Sequence, residues 1–294
     1  MPQKKDIQFD SNGLVCRGWL ITQPGDKKSP CIIMAHGFNG VKELRLEAYA
    51  ERFADAGYQA LVFDYRHYGS SDGEPRQVLD IKKQQQDWHA AIQYARTIPD
   101  VDTGKIILWG TSFSGGHVLQ VAVEDNGVAA VISQVPHMNG LASAMKAGII
   151  QIIRLGFAAI RDHVNRIFNR SPYSVPAFGK PGDLAAMTAP GEYEASRKLY
   201  PHDGDINEMV AARIFLSVGR YSPGKYARRL AVPWLVQAAM RDKTTPVKPV
   251  FKAVLKAPKS RLITYQCGHF EVYVPPMFDQ VVNDQITFLK HSLE

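Results

Sequence analysis

Cysteine is scarce in this chain. Cys16, Cys31 and Cys267 are the only three in 294 residues; the number is odd, they stand far apart, and no CxxC pair occurs. That excludes a disulfide scaffold and leads us to expect free thiols in a reducing, cytoplasmic compartment. Long hydrophobic runs are missing as well. The longest apolar tract, Ala147–Ile160, is broken by Gln151 and Arg154, short of the roughly 20 apolar residues a membrane span requires. No integral membrane contact is therefore expected. The opening MPQKKDIQFD has no apolar stretch of the kind a secretory signal carries. HExxH, Cys/His clusters, GxGxxG and the phosphate-binding loop pattern are all absent, so no metal and no cofactor are expected. Lys+Arg number 35 against 28 Asp+Glu, a net charge of +7. The basic residues form no stripe, so nucleic acid is not an expected partner. Internal repeats and low-complexity segments do not occur.

What is present is a globular composition. Apolar residues are 45%, charged residues 21% and aromatics 10%, enough for a sizeable core and too apolar for a disordered chain. Two short runs, 7–9 and 14–21, flank Asn12-Gly13, a hairpin signal. Apolar runs then alternate with helical periodicity. CIIMA (31–35), QALVF (59–63), KIILW (105–109) and 128–135 read as strands; 43–56, 78–97 and 115–124 read as helices. Strands that are apolar throughout, separated by helices, predict a parallel sheet covered on both faces. From 137 to about 229 the rhythm changes. A helix-like stretch, 141–168, leads into SPYSVPAFGKPGDLAAMTAPGEY, too long for an ordinary loop, and the region reads as an insertion capping the sheet. Alternation resumes with a strand at 233–240, a helix at 247–256, a strand at 261–266 and a closing helix at 278–292. The expected organisation is a core of 1–136 and 230–294 around a cap of 137–229.

The chemistry is concentrated in four places. Trp109-Gly110-Thr111-Ser112-Phe113-Ser114-Gly115-Gly116 follows a strand and opens a helix, the context of a nucleophile elbow. Ser114 stands where the pattern G-x-S-x-G has its last glycine. A serine hydroxyl needs a base and the base an orienting carboxylate. His269 follows the strand RLITYQ and Asp242 follows PWLVQAAM, giving the chain order Ser, Asp, His. All three lie just past strand C-termini, where open α/β sheets bind ligands. His36-Gly37-Phe38, after CIIMA, can aim the Phe38 N–H opposite the Phe113 N–H, two donors for an oxyanion.

These motifs, with FDYRHYGSSDG and GHFEVY, resemble the α/β-hydrolase superfamily over about residues 5–290. The closer resemblance is to its dienelactone-hydrolase and X-Pro-peptidase-like branch of serine esterases, which includes polyketide hydrolases and acyltransferases. The resemblance implies a mostly parallel eight-stranded sheet with helices on both faces and a helical cap. It makes Ser112 the nucleophile, His269 the base and Asp242 its orienter, with Phe38 and Phe113 supplying the oxyanion N–H groups. Hydrolysis of an ester or thioester of a hydrophobic small molecule is the expected reaction. Acyl transfer, carbon–carbon cleavage, and a non-catalytic ligand-binding role on the same fold are the alternatives.

Other residues carry weaker signals. His36, His137 and Tyr68 are candidate pocket residues, although His67 and Tyr68 also read as part of a surface loop, and His36 as a brace for its own loop through its ring nitrogens. Cys267 reads as a packed core thiol, His117 as a core histidine, and Asp64 as a loop anchor through Arg66. Along 144–168, isoleucines alternate with Lys146, Arg154, Arg161 and Arg166. Cap packing, a lid over an apolar pocket, a membrane-surface helix and a homodimer contact all fit that pattern.

Overall fold

Asn12 and Gly13 both hold positive φ, 54° and 81°, the two-residue turn whose twist matches that of paired strands. It closes β1 (Gln3–Ser11) antiparallel on β2 (Leu14–Thr22). The computed structural model describes residues 2–25, 28–201 and 206–293. After the hairpin come β3 (Ser29–Ala35), α1 (Leu46–Asp55), β4 (Gln59–Phe63), α2 (Ile81–Thr97), β5 (Val101–Thr111), α3 (Phe113–Glu124) and β6 (Val128–Gln134). Next is a long segment with α4 (Gly140–Ala147), α5 (Ile149–Ile167), β7 (Ser174–Pro176), α6 (Glu192–Arg197), β8 (Met209–Ala211) and three tight 3-10 turns between Ala212 and Arg229. Of the expected cap, residues 202–205 lie outside the described residues. The chain ends with β9 (Trp234–Ala239), α7 (Val247–Val254), β10 (Ser260–Tyr265) and α8 (Met277–Leu293).

The main sheet has eight strands in the order β1-β2-β4-β3-β5-β6-β9-β10. Only the two pairings of β2 are antiparallel; β4 through β10 run parallel. Every residue of β4 and β9 is buried, as the unbroken apolar runs require of strands covered on both sides. Helices α1 and α8 pack on one face, α2, α3 and α7 on the other. The sheet and its two helical layers are those the sequence predicted.

Boundaries moved for local reasons. Helix α1 starts at Leu46 rather than 43 because Arg45, at φ 70°, precedes it. Helix α2 starts at Ile81 because the Asp80 side chain accepts from Lys83 N–H, an N-cap. The stretch read as one helix over 141–168 breaks at Gly148, φ 88°, into α4 and α5 bent by 111°. No single helix among the described residues is long and apolar enough to cross a membrane; α4 and α5 together match the composition, but the bend divides them. The small β7–β8 ladder had no periodic signal, being three residues per strand.

Candidate active site

Parallel strands β3, β5, β9 and β10 all end at the same edge of the sheet, and the sequence-predicted residues follow those ends. Ser112 joins β5 to α3 with φ 54° and ψ −116°, a conformation strained for a side chain bearing a Cβ. Backbone bonds impose it. Ser112 N–H donates to Gln134 O at 2.9 Å, while Ser112 O accepts from Gly115 N–H at 3.0 Å and from His137 N–H at 2.8 Å. The turn also needs missing side chains: a Cβ on Gly110 would lie 2.3 Å from Ser114 O, and one on Gly115 2.7 Å from Pro136 Cβ.

The three expected partners meet. His269 Nε2 is 3.1 Å from Ser112 Oγ, and His269 Nδ1 is 2.6 Å from Asp242 Oδ2. With Nδ1–H donating to the carboxylate, Nε2 is left to accept the serine proton. Burial works to raise the Asp242 pKa, but the facing His269 and the bonds from His269 and Thr245 outweigh it and hold the carboxyl below its usual range. Asp242 Oδ1 accepts from Thr244 N–H at 2.7 Å and Thr245 N–H at 2.6 Å; Oδ2 also accepts from Thr245 Oγ1–H at 2.6 Å. These threonines were not singled out from the sequence. An Asp followed two and three residues later by Thr, in a turn, is the signal that could have found them.

The loop after β3 lies against the elbow. A Cβ on Gly37 would sit 2.7 Å from Ser112 Cβ and 3.2 Å from Ser112 Oγ, so only glycine permits this approach. Neither Phe38 N–H nor Phe113 N–H has an acceptor among the described residues, as two donors kept for an oxyanion would require. Their rings meet edge to face, centroids 5.8 Å apart. Ser114 explains its departure from the glycine pattern. Its hydroxyl donates to the His36 carbonyl and bonds the Tyr65 hydroxyl, which accepts from Trp88 Nε1–H at 2.7 Å. The hydroxyl thus ties the first turn of α3 to the Gly37-Phe38 loop.

The pocket candidates fare differently. His137 lines a cavity of about 1050 Å³ that opens over Ser112. Its ring stacks on Tyr221, and burial pushes its pKa down to about 4. Phe38, Leu141, Ile152, Met187 and Phe215 supply much of the apolar lining, and Lys146 reaches from α4 to the Asp242 carbonyl at 2.7 Å. His36 borders a second chamber of about 40 Å³ beside Ser112 and His269. Its expected bracing by hydrogen bonds is corrected: Nε2 has no partner among the described residues. The ring instead packs against Gly40, where a Cβ would lie 2.5 Å from Nδ1. Tyr68 stands apart from these two cavities. Both it and His67 are buried and line neither cavity. The loop they occupy folds inward, held by Arg76, which donates to the carbonyls of Gly69, Ser71 and Gly73. Asp64 does anchor a loop, but through Lys42 Nζ at 2.6 Å and Ser70 N–H at 3.0 Å. Arg66 turns to the buried Asp87. His117 is a core histidine, bonded to Tyr221 and Gln84. Cys267 is buried, and burial raises its thiol to about 11, as a packed rather than reactive thiol requires.

Fold and site together define a serine hydrolase of the α/β-hydrolase class. Residues 19–271 match the family described as X-Pro dipeptidyl-peptidase (S15 family), and the chain belongs to it. It is 43% identical, over 97% of its length and 94% of the relative's, to the quorum-quenching protein AidA of Acinetobacter baumannii (strain MDR-ZJ06). It is 35% identical, over 99% of both chains, to the polyketide transferase af380 of Aspergillus fumigatus. The crystal structure of the α/β hydrolase GrgF from Penicillium sp. sh18 superposes with a TM-score of 0.83 over 99% of each chain at 23% identity, a likeness of fold.

Proposed function

We propose that Ser112, His269 and Asp242 act as a catalytic triad cleaving an ester or thioester whose acyl part is hydrophobic. The observation carrying this reading is the continuous bond path from Asp242 through His269 to Ser112 on the floor of a largely apolar cavity. Ser112 Oγ attacks the carbonyl carbon as its proton passes to His269 Nε2. Asp242 stabilises the imidazolium and keeps its orientation. The Phe38 and Phe113 N–H groups receive the charge on the former carbonyl oxygen. Collapse of the tetrahedral intermediate expels the alcohol or thiol, which takes the proton from His269 and leaves an acyl-enzyme. Water, deprotonated by His269, then attacks the acyl carbon and frees the acid and Ser112.

The segment between β6 and β9 acts as a cap that shapes the acyl pocket, and its apolar lining selects alkyl or ring-bearing acyl groups over polar ones. A small chamber of about 40 Å³ lies beside Ser112 and His269. Buried thiols at Cys16, Cys31 and Cys267 suit a reducing compartment, and we place the protein in the cytoplasm.

The test is labelling with a fluorophosphonate serine probe followed by peptide mass spectrometry. Adduct is expected on Ser112 of the wild type and none on Ser112→Ala. That variant is expected to lose at least ~10⁴-fold in kcat on a reactive aryl ester while keeping its circular dichroism. Equal turnover by the two proteins would overturn the assignment.

A further inference from the structure

Helix α5 buries one face and leaves the other uncovered. Gln151, Leu155, Ala158, Ala159 and Asp162 face the chain. On the other side Ile150, Ile153, Phe157, Ile160, Val164 and Ile167 are between 41% and 73% exposed. Their spacing is three, four, three, four, three. That is the narrow seam of a helix made to pack along another helix, not the broad stripe of a helix lying on a core. Ile149 and Phe168, at the two ends of the helix, are exposed as well. Together these side chains expose on the order of 1,000 Å². The largest apolar patch of a typical monomer is roughly 300–600 Å², and a standard interface takes about 800 Å² from each partner.

Among the described residues, nothing of the chain folds over this face. Asp162, on the buried side, accepts from Arg213 Nε at 2.7 Å, Arg213 Nη2 at 2.8 Å and Tyr173 N–H at 2.9 Å, fixing the rotation of α5 with the seam outward. Arg170 lies 5.6 Å from the centre of the Phe168 ring, and two further charges flank the seam, both engaged at home. Arg154 Nη1 donates to Gly182 O at 2.7 Å, and the Arg161 guanidinium lies 4.1 Å from the centre of the Tyr173 ring. A helix built to lie on an anionic lipid surface would turn such arginines toward the headgroups. Gly156 lies beside the seam, and a Cβ there would meet nothing within 4 Å, so a second helix can come close.

We propose that the outer seam of α5 joins two copies of this chain in a two-fold homodimer. A self-complementary seam is what an isologous contact needs, since each copy presents the same residues. At 19 residues the helix is about 28 Å long, enough for several interdigitating layers. Ile152 and Leu155 of α5 line the large cavity, and neither belongs to the seam.

The experiment is sedimentation velocity with light scattering on the full-length chain at low and high salt, for the wild type, Phe157→Glu and Ile160→Lys. The wild type is expected at twice the 32.7 kDa of one chain, unchanged or tighter at high salt because apolar burial drives it. Each charged variant is expected to weaken the dimer by about 30-fold or more, with circular dichroism and aryl-ester hydrolysis retained. Phe157→Ser and Ile160→Ser read the same surface should a charged variant fail to fold. A wild type of single-chain mass at tens of micromolar would overturn the proposal. So would single-chain protein that floats with phosphatidylglycerol vesicles and not with phosphatidylcholine ones, or undiminished dimer in all four variants.

Discussion

Thr245 gives Asp242 a hydroxyl and an N–H bond on different carboxylate oxygens, and between them they fix the plane in which His269 is held. A hydrogen bond to a charged group contributes roughly 1.5–3 kcal/mol. Thr245→Val keeps the shape and removes the hydroxyl alone. We expect kcat to fall about 10- to 100-fold with KM little changed, measured on an aryl ester beside the wild type. A kcat within twofold of wild type would show that the N–H bonds suffice. Ser114 makes a related point. A hydroxyl in place of the pattern's glycine is spent on the His36 carbonyl, one residue before the loop that approaches Ser112. Nothing local in WGTSFSGG reveals that bond, because its acceptor is 78 residues away.

Between elements, the decisive distance is that from the β3 loop to the β5–α3 elbow. Gly37 is required there by close approach rather than by its own dihedral angles. Gly37→Ala would press a methyl group into Ser112 and shift Phe38 N–H away from its place. We expect a loss of about 10² or more in kcat, the order of a lost oxyanion donor, together with slower fluorophosphonate labelling. Near-normal kcat would mean that the loop yields without moving its donor. The break at Gly148 belongs here as well. Periodicity alone ran 141–168 together, since apolar residues continue at helical spacing through the glycine. The bend falls at Gly148 with its positive φ, and α4 then lies beside the cavity, with Lys146 reaching Asp242 O.

Across the whole molecule, buried neutral histidines are the groups through which acid opposes the fold. Burial drives His36 and His117 down to about 3 and His137 to about 4, from an ordinary 6.5. Below pH 6.5 the unfolded chain takes up protons at these sites and the native chain does not, so stability falls as pH drops from 6.5 toward 4. Asp242, held below its usual range, adds its loss only below the ordinary carboxylate value of 3.8. A net charge of +7 that grows with acid works in the same direction. Scanning calorimetry is expected to show Tm falling by several degrees between pH 7 and pH 5, at about 2–4 °C per kcal/mol. A flat Tm over that interval would contradict neutral burial of these histidines.

The chain order of Ser112, Asp242 and His269, the eight strands and the loops that end them were legible from local chemistry. Apolar runs of strand length, glycines at a sharp turn and an Asn-Gly hairpin act over a few residues, and their physics is written in neighbouring letters. Tyr68 and His67 lie buried rather than on a surface loop, and Asp64 and Arg66 find other partners than each other, because those outcomes depend on which buried charge comes within reach after distant segments pack. The same holds for the wall of the cavity and for the face of α5 left uncovered. Periodicity announces that a helix has an apolar side; whether that side meets its own core or remains open is settled by where Asp162 finds Arg213, fifty-one residues along the chain.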